Sequence, residues 1–188
     1  MKTRVFLLPL LASLLLSGYP LVQPVQAEQS VQVAQPQWEQ FSSSEGGFTV
    51  LMPIKPTQKR QTTNSESLAV EANLFTASLE EGKVTYSVSY TNFPSEVAQL
   101  PPDVILDSIS SSFTSDKNIK LLNQQDISLG QHPGKEFKFE APGEKIVQYR
   151  AYLVEQRLYQ VIAELPKVRE STLSSDTEKF LSSFQLLK

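Results

Sequence analysis

From Trp38 to Leu165 apolar side chains recur mostly at every second position, and one stretch, from Pro101 to Phe113, changes to a spacing of four. A period of two marks a strand with one buried face. Val84, Tyr86, Val88 and Tyr90, alternating with Thr85, Ser87 and Ser89, show it most cleanly. Trp38 to Phe41 and Phe48 to Met52 predict two strands around a Gly-Gly turn over Ser42 to Gly47. Pro53 and Pro56 end the second, because proline has no N–H for the ladder. Gln58 to Thr63 is polar and predicts an edge strand. Ser67 to Leu79 predicts a strand that turns Leu68, Val70, Ala72, Leu74 and, less regularly, Phe75 towards an interior.

Four more strands are predicted at Ile119 to Leu129, Lys135 to Glu140, Lys145 to Val154 and Arg157 to Leu165. Turns fall at Glu80 to Gly82, Gly130 to Gly134, Ala141 to Glu144 and Glu155-Gln156. A hairpin centred on Gly143 sets Glu136 opposite Arg150, Phe137 opposite Tyr149 and Phe139 opposite Val147. Pro101-Pro102-Asp103 opens a helix, with Asp103 as N-cap and Ile105, Ile109 and Phe113 on one face. Ser175 and Glu178 have capping-box spacing before a closing helix that buries Phe180, Leu181 and Phe184. Strands joined by short turns pair antiparallel. The expected fold is α+β: an antiparallel sheet of about six or more strands flanked by helices.

The first residues follow a different rule. Lys2 and Arg4 precede an apolar run from Val5 to Leu16, and Val25-Gln26-Ala27 offers a cleavage site. Residues 1–27 therefore read as a signal peptide. The run is short of the 18–20 or so residues a membrane span needs, so no stable span is expected after cleavage. Residues 28–37 read as a flexible Gln-rich tether, and 38–188 as a single domain. The same export signal serves periplasm and thylakoid lumen.

Removing residues 1–27 moves the formal charge from −3 to −5. That balance speaks against a nucleic-acid partner, which rewards clustered Lys and Arg. The chain has no cysteine, so disulfides, thiolate metal sites and thiol catalysis are excluded.

Candidate chemistry is sparse. His132 is the only histidine, placed in an exposed turn with no G-x-S-x-G elbow elsewhere to supply a nucleophile. Glu136, Glu140 and Glu144 cluster along one hairpin, but Lys135, Lys138 and Lys145 accompany them and read as a solvated mixed-charge surface. Glu136 and Arg150 form a cross-strand pair, structural first and ligand-facing second. His132, Glu136 and Arg150 are the residues that a partner or ligand surface would use. No catalytic set, metal site or cofactor is expected.

Several segments, in this order, resemble the PsbP/Mog1-like superfamily. They are Glu45-Gly46-Gly47-Phe48-Thr49-Val50-Leu51-Met52-Pro53, Gly130 to Phe137, Arg150-Ala151-Tyr152, Arg157-Leu158-Tyr159-Gln160 and the closing Lys179 to Phe184. The likeness spans residues 38–188 and is nearest to exported bacterial PsbP-like proteins, cyanobacterial ones among them. Ile54-Lys55-Pro56 stands where photosystem members carry a second aromatic. The resemblance implies an α/β/α sandwich that acts without catalysis, docking to a protein partner in an envelope or lumenal assembly. Two alternatives remain at this point: a small-ligand or lipid carrier, and a hydrolase built on His132.

Overall fold

The computed structural model describes residues 36–65 and 68–187. The signal peptide, most of the tether and the side chain of Leu68 lie outside the described residues. Among those described, ten strands form two antiparallel sheets. A small sheet has the order β1-β2-β10, with β1 at Glu39–Ser43, β2 at Phe48–Met52 and β10 at Gln185–Leu186. The main sheet has the order β3-β4-β5-β9-β8-β7-β6. Its strands are β3 Thr57–Ser65, β4 Leu68–Leu79, β5 Val84–Asn92, β6 Lys120–Leu129, β7 His132–Ala141, β8 Lys145–Val154 and β9 Arg157–Pro166. The helices are α1 Ser95–Ala98, α2 Pro102–Ser115 and α3 Glu170–Ser182.

Alternation along each strand sorts side chains to two faces. One face sends Phe75, Ala77, Tyr86, Val88, Tyr90, Tyr159, Val161 and Ala163 into a core closed by the small sheet and α3. The other sends Phe137, Phe139, Val147, Tyr149 and Ala151 towards Leu106, Ile109 and Phe113 of α2. Helix, sheet, then helix with small sheet gives three layers.

Phe48 stitches the two sheets together. Its ring lies edge-on to Phe75 at 5.6 Å and to Tyr159 at 6.3 Å, and tilted on Phe184 at 5.5 Å. Gly46 makes room for it, since a Cβ there would fall 2.6 Å from the Phe48 ring. Gly134 serves likewise under β8, where a Cβ would meet the Ala151 carbonyl at 2.4 Å.

Four sequence expectations are corrected. In β4 the inward set is Asn73, Phe75 and Ala77, while Ala72 and Leu74 lie half-buried on the other face. Pairing with β5 decides this, because Phe75 sits opposite Val88 and Ala77 opposite Tyr86. Pro101, not Asp103, is the cap residue of α2, which makes no side-chain cap bond and starts with Pro102, whose missing N–H is harmless in a first turn. Helix α3 begins at Glu170, after a 3-10 turn over Lys167–Arg169, so Ser175 lies inside it. The turn after β6 takes only Gly130-Gln131, and His132 opens β7 opposite Leu129. Helix α1 and strand β10 carry no periodicity long enough to announce them.

Candidate functional site

The hairpin register expected from Gly143 is present: Glu136 pairs with Arg150, Phe137 with Tyr149 and Phe139 with Val147. Even positions of β7 and β8 face α3, so Glu136 and Arg150 lie under that helix, with side chains only 17% and 16% exposed. Arg150 Nε donates to Glu136 Oε2, and its Nη2 reaches both Glu178 oxygens at 3.4 Å. Gln125 Nε2 donates to the other Glu136 oxygen at 2.7 Å. Ser182 Oγ donates to Glu178. Three strands and a helix are therefore tied through the Glu136–Arg150 pair. Lys138 with Glu170 and Lys167 with Glu140 flank the same helix. These charges hold layers together.

His132 does not join them. It stands four positions before Glu136 on β7, roughly 13 Å away at ordinary strand rise. It borders a groove of about 340 Å³ lined by Leu129, Gly130, Gln131, His132, Gln185 and Leu186. That lining holds neither a hydroxyl nucleophile nor a carboxylate. Among the described residues the imidazole makes no side-chain hydrogen bond, and no group of three acidic or histidine side chains is placed to hold a metal ion. A serine–histidine–carboxylate relay needs contacts of about 2.6–3.2 Å. They are absent around this ring.

A different polar cluster, which the sequence presented only as a motif, forms where β5, β8 and β9 end. Arg157 opens β9 between Asn92 and Val154. Its Nε donates to Asn92 Oδ1 at 2.6 Å, and its Nη1 to the carbonyls of Gly46 at 2.9 Å and Glu45 at 3.2 Å. Tyr159 donates to the same Gly46 carbonyl at 2.7 Å. The guanidinium lies 4.8 Å over the Tyr90 ring and 5.9 Å from that of Tyr159. Asn92, Val154, Glu155, Gln156, Arg157 and Tyr159 line a surface cleft of about 670 Å³ there. No local signal links the β1–β2 turn to residues more than a hundred positions later.

The strand tyrosines are packing residues of the core. Loss of solvation pushes Tyr86 up to about 12 and also raises Tyr90, Tyr149 and Tyr152. In the folded protein the neutral phenol is favoured, so this stability is fully present below the unfolded tyrosine value near 10. It is lost as pH climbs from there through the raised folded values. Alkaline titration is therefore expected to leave the melting temperature level to about pH 9 and lower it steeply from about 10 to 12. Phenolate absorbance of these rings should rise together with unfolding. Their ionisation near pH 10 in a still-folded protein would contradict their burial.

No family model matches the chain, and no curated protein sequence does. Solved structures do. Cyanobacterial PsbP (CyanoP) from Synechocystis sp. PCC 6803 aligns over 87% of this chain and 99% of its own, with TM-score 0.55 and 16% identity. LpqN of Mycobacterium tuberculosis, described as involved in cell envelope biogenesis, aligns over 81% of this chain and 91% of its own, with TM-score 0.53 and 10% identity. Identities this low speak for backbone architecture alone. By its layers, its strand order and these likenesses, the chain has the PsbP/Mog1-like fold.

Proposed function

We propose that this chain is an exported accessory module, without a reaction of its own, that docks to a larger envelope or thylakoid-lumen assembly. The observation that carries the reading is the use of its polar side chains. Glu136 and Arg150 are engaged with Gln125 and Glu178 between layers, and His132 stands apart from any nucleophile or carboxylate. The sequence adds an export signal, and LpqN offers a relative in architecture connected with the cell envelope. No helix of the described residues is long and apolar enough to cross a membrane. Fold likeness alone assigns no function, so the reading rests on this polar arrangement first.

A carrier would need room between sheet and helices. There the rings of Phe48, Tyr86, Phe137 and Phe180 are fully buried against their neighbours. The clefts at His132 and Arg157 lie at strand ends instead. For these reasons the docking reading is preferred to a ligand or lipid carrier.

Site-specific photocrosslinking in the native cell tests it. A benzoyl-phenylalanine placed singly at Leu122, His132, Gln156 or Val168 samples four parts of the surface. One reproducible protein adduct, confined to one or two of these positions, is expected. Absence of any reproducible adduct at all four would count against docking.

A further inference from the structure

Four arginines lie in the described residues, and three of them hold a carboxylate. Arg60 pairs with Glu45, Arg150 with Glu136 and Arg169 with Glu80. Arg157 alone among them has no carboxylate oxygen of the described residues within 4.0 Å. It is nonetheless firmly held. Three neutral oxygens fix its Nε and Nη1, and the guanidinium stacks on Tyr90. Its Nη2 has no acceptor among the described residues. Neither has the Asn92 Nδ2, while Asn92 Oδ1 accepts from Nε and so fixes which way the amide faces. Both free groups belong to residues that line the cleft of about 670 Å³.

We propose that this cleft is a carboxylate-binding site, with Arg157 Nη2 and Asn92 Nδ2 as its donors. A guanidinium is planar and matches a carboxylate edge-on, and a fixed one loses little freedom on binding. Its charge sits over the Tyr90 face and the oxygens that hold its Nε and Nη1 are neutral, which leaves Nη2 able to take an anion. One positive charge suits a monoanion better than a phosphate dianion. Glu155, exposed in the cleft wall with φ 54°, adds a negative charge that disfavours higher anions further. The carboxylate comes either from a small free acid or from a protein, as a C-terminus or an acidic side chain. The protein source would deepen the docking reading, whereas the site itself does not depend on it.

Side-chain NMR of the 15N-labelled protein tests the site directly, through the Arg157 Nε–H and Asn92 Nδ2–H2 signals. The probes are sodium acetate, succinate, a short peptide with a free C-terminal carboxylate, the same peptide amidated, and an amidated peptide containing one aspartate. Inorganic phosphate and chloride at matched ionic strength are the controls. Saturable shifts with a Kd of about 1–10 mM are expected for at least one carboxylate probe and not for the amidated neutral peptide. Acetate and succinate binding more tightly than the peptides identifies a free acid, and the reverse order identifies a protein group.

Arg157→Lys keeps the charge but loses the planar edge, and should weaken binding about tenfold. Arg157 also holds the β1–β2 turn, so a variant that spares it is needed. Glu155→Asn suits the positive φ and removes the opposing charge. It should tighten carboxylate binding about threefold, as expected for an exposed charge pair. The proposal is overturned if no carboxylate shifts these two signals saturably, if phosphate binds better than every carboxylate, or if Glu155→Asn leaves affinity unchanged. A failed crosslinking experiment would remove the docking partner and leave the acetate and succinate result standing.

Discussion

Phe48→Ala is expected to lower the unfolding free energy by about 3–5 kcal/mol. A single domain has only about 5–15 kcal/mol in total, so most of the margin goes with this one ring. The size follows from what surrounds it. Phe48 is fully buried and meets Phe41, Phe75, Tyr159 and Phe184, which belong to β1, β4, β9 and the segment after α3. Walls made of rings held by two sheets cannot collapse into the void. Tilted and edge-on pairs add about 0.5–1.5 kcal/mol each beyond area. Urea denaturation should show a lower midpoint with an unchanged slope. Ile54→Ala, an exposed position on the same small-sheet side, should change stability by no more than about 0.5 kcal/mol. A loss below about 1 kcal/mol for Phe48→Ala would mean that the small sheet is not coupled to the large one.

Arg150→Met comes second, with an expected loss of about 2–3 kcal/mol, at or just below the range for breaking a buried ion pair. The pair is partly shielded, which is why the lower figure is used. Removing the guanidinium leaves Glu136 and Glu178 facing one another under α3 with no cation between them. The methionine keeps much of the packing volume, so charge rather than cavity sets the effect. Adding Glu136→Gln should recover roughly half of the loss, since the amide still accepts from Gln125 and no longer carries charge. Equilibrium denaturation of the single and double variants reads both numbers. Strict additivity of the two substitutions would show that the pair is not a clamp.

How much of this was visible beforehand depends on the range of the signal. The β7–β8 register was legible because Ala141 to Glu144 fixes the turn, and a turn fixes every pairing after it. The β4 face was not, because Leu68, Val70, Ala72 and Leu74 offer one apolar parity while Phe75 and Ala77 offer the other. Only the partner strand β5 breaks that tie. Helix α3 starts earlier than its capping pattern suggests, since Val168 to Ser174 presents little apolar periodicity to read. The proline and glycine after His132 suggest a turn, yet pairing with Leu129 draws it into β7. Glu136 and Arg150 were found through register, but their engagement with Gln125 and Glu178 required β6 and α3 to be in place. The Arg157 cleft was out of reach altogether. Its parts come from residues 45–46, 90–92 and 154–159 and meet only in the finished fold.

One small feature has kinetic weight. Strand β2 is completed by β10, and Leu51 N–H donates to Ser183 Oγ across 132 positions of chain. The β1–β2 hairpin therefore keeps one edge open until Gln185–Leu186 pair with it. Closing so long a loop is entropically slow and delays native contacts. Until it closes, the open edge of β2 is exposed backbone that could pair with another chain, and Gln185–Leu186 cover it in the finished fold.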